Sequence, residues 1–196
     1  MSTGAGLSRR ALFGAAGGAT LAAAGCGKTE RQKAGRGPQP GDADSLRFVL
    51  TVEYMERDFY DQVLQAGVLS GSQAELARRF AEDERRHIEA LESVARSLRI
   101  SVPVPETAFE SVLGRPQDAL RAAADLENNG ADAYLGQLSE IDSDTYLAKL
   151  LAIQTVEARH AAAFEHAIGH STEPDGAFAT SLDADEVMRR LEPYLV

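Results

Sequence analysis

The chain has 196 residues, of which 20 are Lys or Arg and 30 are Asp or Glu, giving a formal charge of −10. An acidic exterior of this kind disfavours nucleic acid and anionic lipid head groups as partners and keeps the surface solvated. The single cysteine, Cys26, excludes an internal disulfide framework, a Cys-rich zinc site and the paired Cys-x-x-Cys of a rubredoxin-like iron centre, so any electron partner must come from outside the chain.

Residues 1–25 carry Ser8-Arg9-Arg10 followed by a weakly apolar, Ala- and Gly-rich run, too short to span a bilayer as a mature helix. They read as a signal peptide, and the adjacent arginines resemble a twin-arginine signal, whose route carries already folded proteins; a general secretory signal with two arginines is the alternative. Leu21-Ala22-Ala23-Ala24-Gly25-Cys26 resembles a lipoprotein processing box, in which the Cys becomes the lipidated first residue. Ala23 stands where such boxes favour Leu, so an exported form without lipid stays open. Cleavage before Cys26 would remove two arginines and no acid, leaving 18 basic and 30 acidic residues, or −12. Residues 26–43 are polar, contain Pro38 and Pro40, lack apolar periodicity and read as a flexible tether. The expectation is an extracytoplasmic protein held to the membrane through lipidated Cys26.

From residue 44 onward the periodicity is helical. Leu46, Leu50, Glu53, Tyr60 and Leu64 form one stripe, interrupted by Glu53, and Arg57 also falls on it. Gly67 and Ser70-Gly71-Ser72 make a short connection to a second stripe: Leu76, Phe80, Glu84, His87, Leu91, Val94 and Leu98. Pro103 and Pro105 open a longer crossing that runs to Gly114-Arg115-Pro116. A third stripe of Leu120, Ala123, Glu127, Tyr134, Leu138 and Ile141 follows, then a turn and cap at Asp142-Ser143-Asp144. The fourth stripe, Tyr146, Leu150, Ile153, Glu157, His160, Phe164 and Ala167, closes at Gly169. In the tail, 171–196, Asp183 to Leu195 predicts a short helix packed on the outside. No strand-like alternation of any length occurs, and the class is all-α.

The intruders carry the chemistry. Residues three apart share a helix face, so Glu84-x-x-His87 and Glu157-x-x-His160 each aim a carboxylate and an imidazole in one direction, toward the apolar stripe. Burying an ion costs several kcal/mol even after relaxation, and four carboxylates gathered in a core would raise one another's pKa values and mostly protonate unless cations join them. The order Glu, Glu-x-x-His, Glu, Glu-x-x-His is also a repeat. Glu53 precedes Glu84 by 31 residues and Glu127 precedes Glu157 by 30, while Tyr60 and Tyr134 each follow their Glu by seven. One helical hairpin has been used twice.

On these residues the chain resembles the ferritin-like proteins of the di-iron or di-manganese carboxylate type, and LTVEYMERDFYDQVL, DERRHIEALE, LENNGADAYLG and VEARHAAAF resemble the exported bacterial branch of that family in particular. The resemblance covers residues 44–170. It implies an up-down four-helix bundle with a long crossover between helices 2 and 3, and a metal centre held by Glu53, Glu84, His87, Glu127, Glu157 and His160. Carboxylate and imidazole donors suit two metal ions, iron first and manganese second. The activity implied is oxidation of Fe(II) by oxygen or peroxide, or peroxide consumption, in stress protection; a non-enzymatic metal-binding or structural stress protein on the same bundle is the other reading. A homo-oligomer is compatible with either.

Tyr60 and Tyr134 stand behind the ligands, as packing residues with satisfied hydroxyls or as groups that orient or exchange electrons with the centre. Glu56, three after Glu53, stands with these tyrosines as a residue behind the ligands; it reads first as sitting at the flank of its stripe, paired with Arg57 or water, and an extra or shifting ligand is the alternative. Gly130 lies in mid-helix, where it costs about 1 kcal/mol against Ala; it either admits a close approach near the site or is tolerated. His166 and His170 fall off the ligand face and read as surface residues.

Overall fold

A computed structural model describes residues 35–196. The expected signal segment, the lipidation residue Cys26 and the first part of the tether lie outside the described residues. Five α-helices follow one another: α1 (Ala43–Ala66), α2 (Gly71–Leu98), α3 (Pro116–Gln137), α4 (Asp144–Ala167) and α5 (Ala184–Leu191). Among the described residues there is no strand, only an isolated antiparallel bridge between Thr107 and Leu195 that joins the crossover to the C-terminal end.

α1 packs along α2 and α3 along α4, so the bundle is two hairpins, meeting mainly through α1 against α3 and more loosely through α2 against α4. The short α1–α2 link turns on Gly67, whose left-handed φ of 63° suits a residue without a Cβ. Residues 99–115 form the long crossover, and Phe109 packs its ring edge-on against Phe59 in the second half of α1. At the other end of α1, the buried Asp42 carboxylate accepts the amides of Gln39 and Asp142, pinning the entry of α1 to the turn that starts α4. Ser143 caps α4, accepting from the amide of Tyr146.

The apolar core comes in two layers. One contains Phe59, Tyr60, Phe80, Leu120 and Phe164; the other Leu46, Leu50, Leu91, Tyr134, Tyr146 and Leu150. On α1, α2 and α4 the intruding polar residues fall between the two layers. Each fully buried Leu or Phe contributes about 1.5–3 kcal/mol, and these two layers offset the cost of the polar one between them.

Two details differ from the expected stripes. α3 ends at Gln137, passes through one 3-10 turn at Leu138–Glu140 and reaches an extended Ile141, because the chain must turn there to begin α4. The tail crosses α3 directly over Gly136, where an added Cβ would lie 1.9 Å from the carbonyl oxygen of Leu182. Asp183 then caps α5, which buries Val187 and Leu191 as it packs on α3.

Candidate metal centre

The helical stepping that predicts an inward direction places all six intruders in one buried layer. Glu53, Glu84, Glu127 and Glu157 have no exposed surface, and His87 and His160 are buried. Their ligand-type atoms fall into two groups, Glu53, Glu84, His87 and Glu157, and Glu84, Glu127, Glu157 and His160, with the atoms of each group within 4.8 Å of one another. Glu84 and Glu157 belong to both.

The distances show how the groups interlock. His87 Nδ1 lies 3.0 Å from Glu84 Oε2, 2.8 Å from Glu157 Oε1 and 3.6 Å from Glu53 Oε2. His160 Nδ1 lies 3.0 Å from Glu84 Oε1 and 3.3 Å from Glu127 Oε2. Glu84 thus reaches one histidine with each oxygen. The tyrosines cross between hairpins: the Tyr60 hydroxyl on α1 donates to Glu127 Oε1 on α3, and the Tyr134 hydroxyl on α3 donates to Glu53 Oε1 on α1. Behind His160, Nε2 is 3.4 Å from Asp83 Oδ2, and the Phe80 ring stacks on the imidazole with centroids 3.7 Å apart.

Burial sets the electrostatics. It pushes Glu53 up to about 7 against the opposing pull of His87, and it raises Glu127 and, more strongly, Glu157. Burial would raise Glu84 as well, but its contacts with His160 and His87 outweigh that and hold it below the usual carboxylate range. Burial works to lower both histidines, yet the surrounding carboxylates win: Glu157, Glu53 and Glu84 raise His87, and Glu127 and Glu84 lift His160 to about 10. In the metal-free protein the two imidazolium ions are therefore the cations of the layer.

They leave it underserved. Glu53 Oε2, Glu84 Oε1, Glu127 Oε2, both oxygens of Glu157 and His160 Nδ1 are buried without an aligned hydrogen-bond partner. Close approach without alignment means that these atoms converge on common points rather than pair with one another. On Glu53 and Glu127 the tyrosine occupies one oxygen and leaves the other free. Hard oxygen atoms with two imidazole nitrogens make a donor set that fits iron or manganese. A cleft of about 260 Å3 between α2 and α4, lined by Arg79, Phe80, Asp83, Val156, Arg159 and His160, opens beside this layer.

The ferritin-like domain model matches residues 41–170. The chain belongs to the ferritin-like domain family. Among solved structures, this ferritin-like protein is similar to a conserved hypothetical protein, rv2844, from Mycobacterium tuberculosis, at 17 % identity and a TM-score of 0.59, over 66 % of this chain and 91 % of that one. That likeness concerns the fold. Comparison with curated proteins gives no match.

Two residues of the ferritin-like layer, Glu56 and Asp83, take places that the pattern along one helix does not reveal. Glu56 is not on the flank: it is 1 % exposed, and both its oxygens are buried without a partner. Arg57 instead faces outward toward Asp61, at 3.9 Å. The space for Glu56 comes from Gly130 on α3, where an added Cβ would sit 2.3 Å from Glu56 Oε1. The repeat held the signal, since the spacing that carries Glu53 onto Glu127 carries Glu56 onto Gly130. Asp83 went unmarked because it adjoins Glu84 on a half-exposed face, and only the approach of α4 brings His160 to it. His166 and His170 are exposed, the latter 3.0 Å from Glu165.

Proposed function

We propose that this ferritin-like protein binds a pair of metal ions, iron first and manganese second, and oxidises Fe(II) with oxygen or peroxide on the outer side of the cytoplasmic membrane, anchored through lipidated Cys26. The observation that carries the reading is the set of buried, unpartnered carboxylate and imidazole atoms converging in two groups. Glu53, Glu84, His87 and Glu157 would hold one ion, and Glu84, Glu127, Glu157 and His160 the other. Bound iron would supply the one-electron chemistry toward oxygen or peroxide.

The chain's own residues do the rest. Tyr60 and Tyr134 hold Glu127 and Glu53 by one oxygen each and so fix where the other points. Asp83 keeps the Nε2 side of His160 engaged, so that Nδ1 faces the carboxylates. The apolar layers on either side exclude water, and the cleft between α2 and α4 offers small molecules a route past Asp83 to His160. Metal analysis of protein from its native compartment, followed by Fe(II)-dependent oxygen uptake, tests the reading. Metal bound without uptake of oxygen or peroxide would favour the metal-binding or structural protein, and Cys26→Ser protein that stayed on the membrane would remove the lipid anchor.

A further inference from the structure

Glu56 is the one buried carboxylate of the layer that the six-residue set does not use. It is 1 % exposed, both its oxygens lack a hydrogen-bond partner among the described residues, and the neighbouring Arg57 pairs with Asp61 instead. It reaches across from α1 into a niche on α3 that exists only because residue 130 is glycine. The same niche lies beside Glu157, whose Oε2 is 3.5 Å from the point where a Cβ on residue 130 would stand. The repeat makes this one-sided: the counterpart of Glu56 in the second hairpin is Gly130 itself, so a single acid occupies a place that two would contest.

We propose that Glu56 is a seventh donor residue of the centre and its fifth carboxylate, seated against Gly130, and that it makes the two ion positions unequal by serving the half that contains Glu127, Glu157 and His160. The proposal rests on the two-ion reading above. Gly130 stands three residues after Glu127 on the same face of α3, so an acid seated against it lies on that side of the layer; burial and then the charges of Glu157 and Glu127 push the Glu56 carboxyl up. Four carboxylates match the charge of two divalent ions, and Glu56, ionised beside a bound cation, adds a fifth on one side of the layer. A buried acid with no partner is costly to keep, and a cation beside it is the group that relieves that cost.

The test is Co(II) binding to the full metal-free chain, followed by calorimetry and visible absorption, for wild type, Glu56→Gln, Gly130→Ala, Glu56→Ala and the Glu56→Ala/Gly130→Ala pair. Wild type should bind in two distinguishable steps. Glu56→Gln should weaken one step by about tenfold or more and leave the other nearly unchanged, with an altered absorption band for the weakened ion. Gly130→Ala should do the same by pushing the Glu56 side chain out of its niche, and should add nothing once Glu56 is already Ala. If Glu56→Gln misfolds, Gly130→Ala and the double variant still decide. Two wild-type steps left intact in every variant would overturn the role of Glu56 while sparing the two-ion reading; a wild type that binds no Co(II) would overturn both.

Discussion

The two hairpins, α1–α2 and α3–α4, are copies in their donors and unlike in what surrounds them. Spacing carries Glu53, Tyr60, Glu84 and His87 onto Glu127, Tyr134, Glu157 and His160, and each of these pairs keeps its residue type. The same spacing sets Glu56 against Gly130, Phe80 against Ile153 and Asp83 against Val156. His160 consequently has Phe80 stacked on its ring and Asp83 behind it, both supplied by the first hairpin. The difference teaches that a duplicated set of inward-facing carboxylates and imidazoles can keep its residue types while its two halves diverge through the residues packed around it.

The largest expected effect separates shared donors from private ones. Glu84→Ala or Glu157→Ala touches both groups and should take bound Co(II) or Fe(II) from about two ions per chain to none, with Fe(II) oxidation falling in step. Glu53→Ala or Glu127→Ala should cost one ion each. Equal losses from all four substitutions, read by metal analysis, would break the picture of two interlocked groups.

Next comes the dependence of stability on metal and pH. Metal at 100 times its Kd stabilises the fold by about 2.7 kcal/mol, roughly 5–10 °C of melting temperature for a chain of this size. In the metal-free protein Glu53, raised to about 7, contributes stability that is full below about 4.5 and lost as pH rises through about 7. His160, raised to about 10, contributes stability that is full below about 6.5 and lost as pH rises through about 10. Both therefore make the metal-free protein less stable as pH rises across the neutral range, whereas metal, which displaces those protons, binds more tightly. The melting difference between loaded and chelated protein should widen from pH 5.5 to pH 8; a constant difference would count against the histidines and Glu53 as the groups displaced.

A smaller effect sharpens the asymmetry. Asp83→Asn should weaken one of the two binding steps by about 10–100-fold, because it loosens the orientation of His160 alone. His87→Ala made in parallel should weaken the other step. The smallest effect is a control on the outer face of α2, where Arg85 pairs with Glu82 and Glu89 in solvent. Arg85→Ala should cost less than about 1 kcal/mol by thermal melting and leave metal binding unchanged.

How far the sequence reveals this molecule depends on whether a feature is written along one helix or across two. The four stripes, Ser143 as a cap and the long crossover are properties of single segments, and the bundle follows from them. The inward direction of Glu84 and His87, and of Glu157 and His160, is also local, since three residues bring a side chain back to the same face. Glu56 was not legible this way: the adjacent Arg57 suggested an exposed ion pair, and the niche that admits the acid belongs to another helix, 74 positions later in the sequence. Asp83 and Gly136 fail for the same reason, their partners being a histidine on α4 and a carbonyl in the tail. The end of α3 was overrun because apolar spacing continues through Leu138 and Ile141 after the helix has stopped at Gln137.

The exchanged tyrosine bonds carry one more consequence. Tyr60 reaches Glu127 and Tyr134 reaches Glu53, so that position i in one half touches position j in the other and the reverse contact repeats it. That reciprocity is the mark of an isologous two-fold interface between identical subunits, here found inside a single chain. A lone hairpin of this design would hold its Glu without the hydroxyl that orients it, and could complete the layer only by pairing with a copy of itself. Joining the pair into one continuous chain is what frees residues 56 and 130 to differ, since in a symmetric homodimer both would have to be the same amino acid.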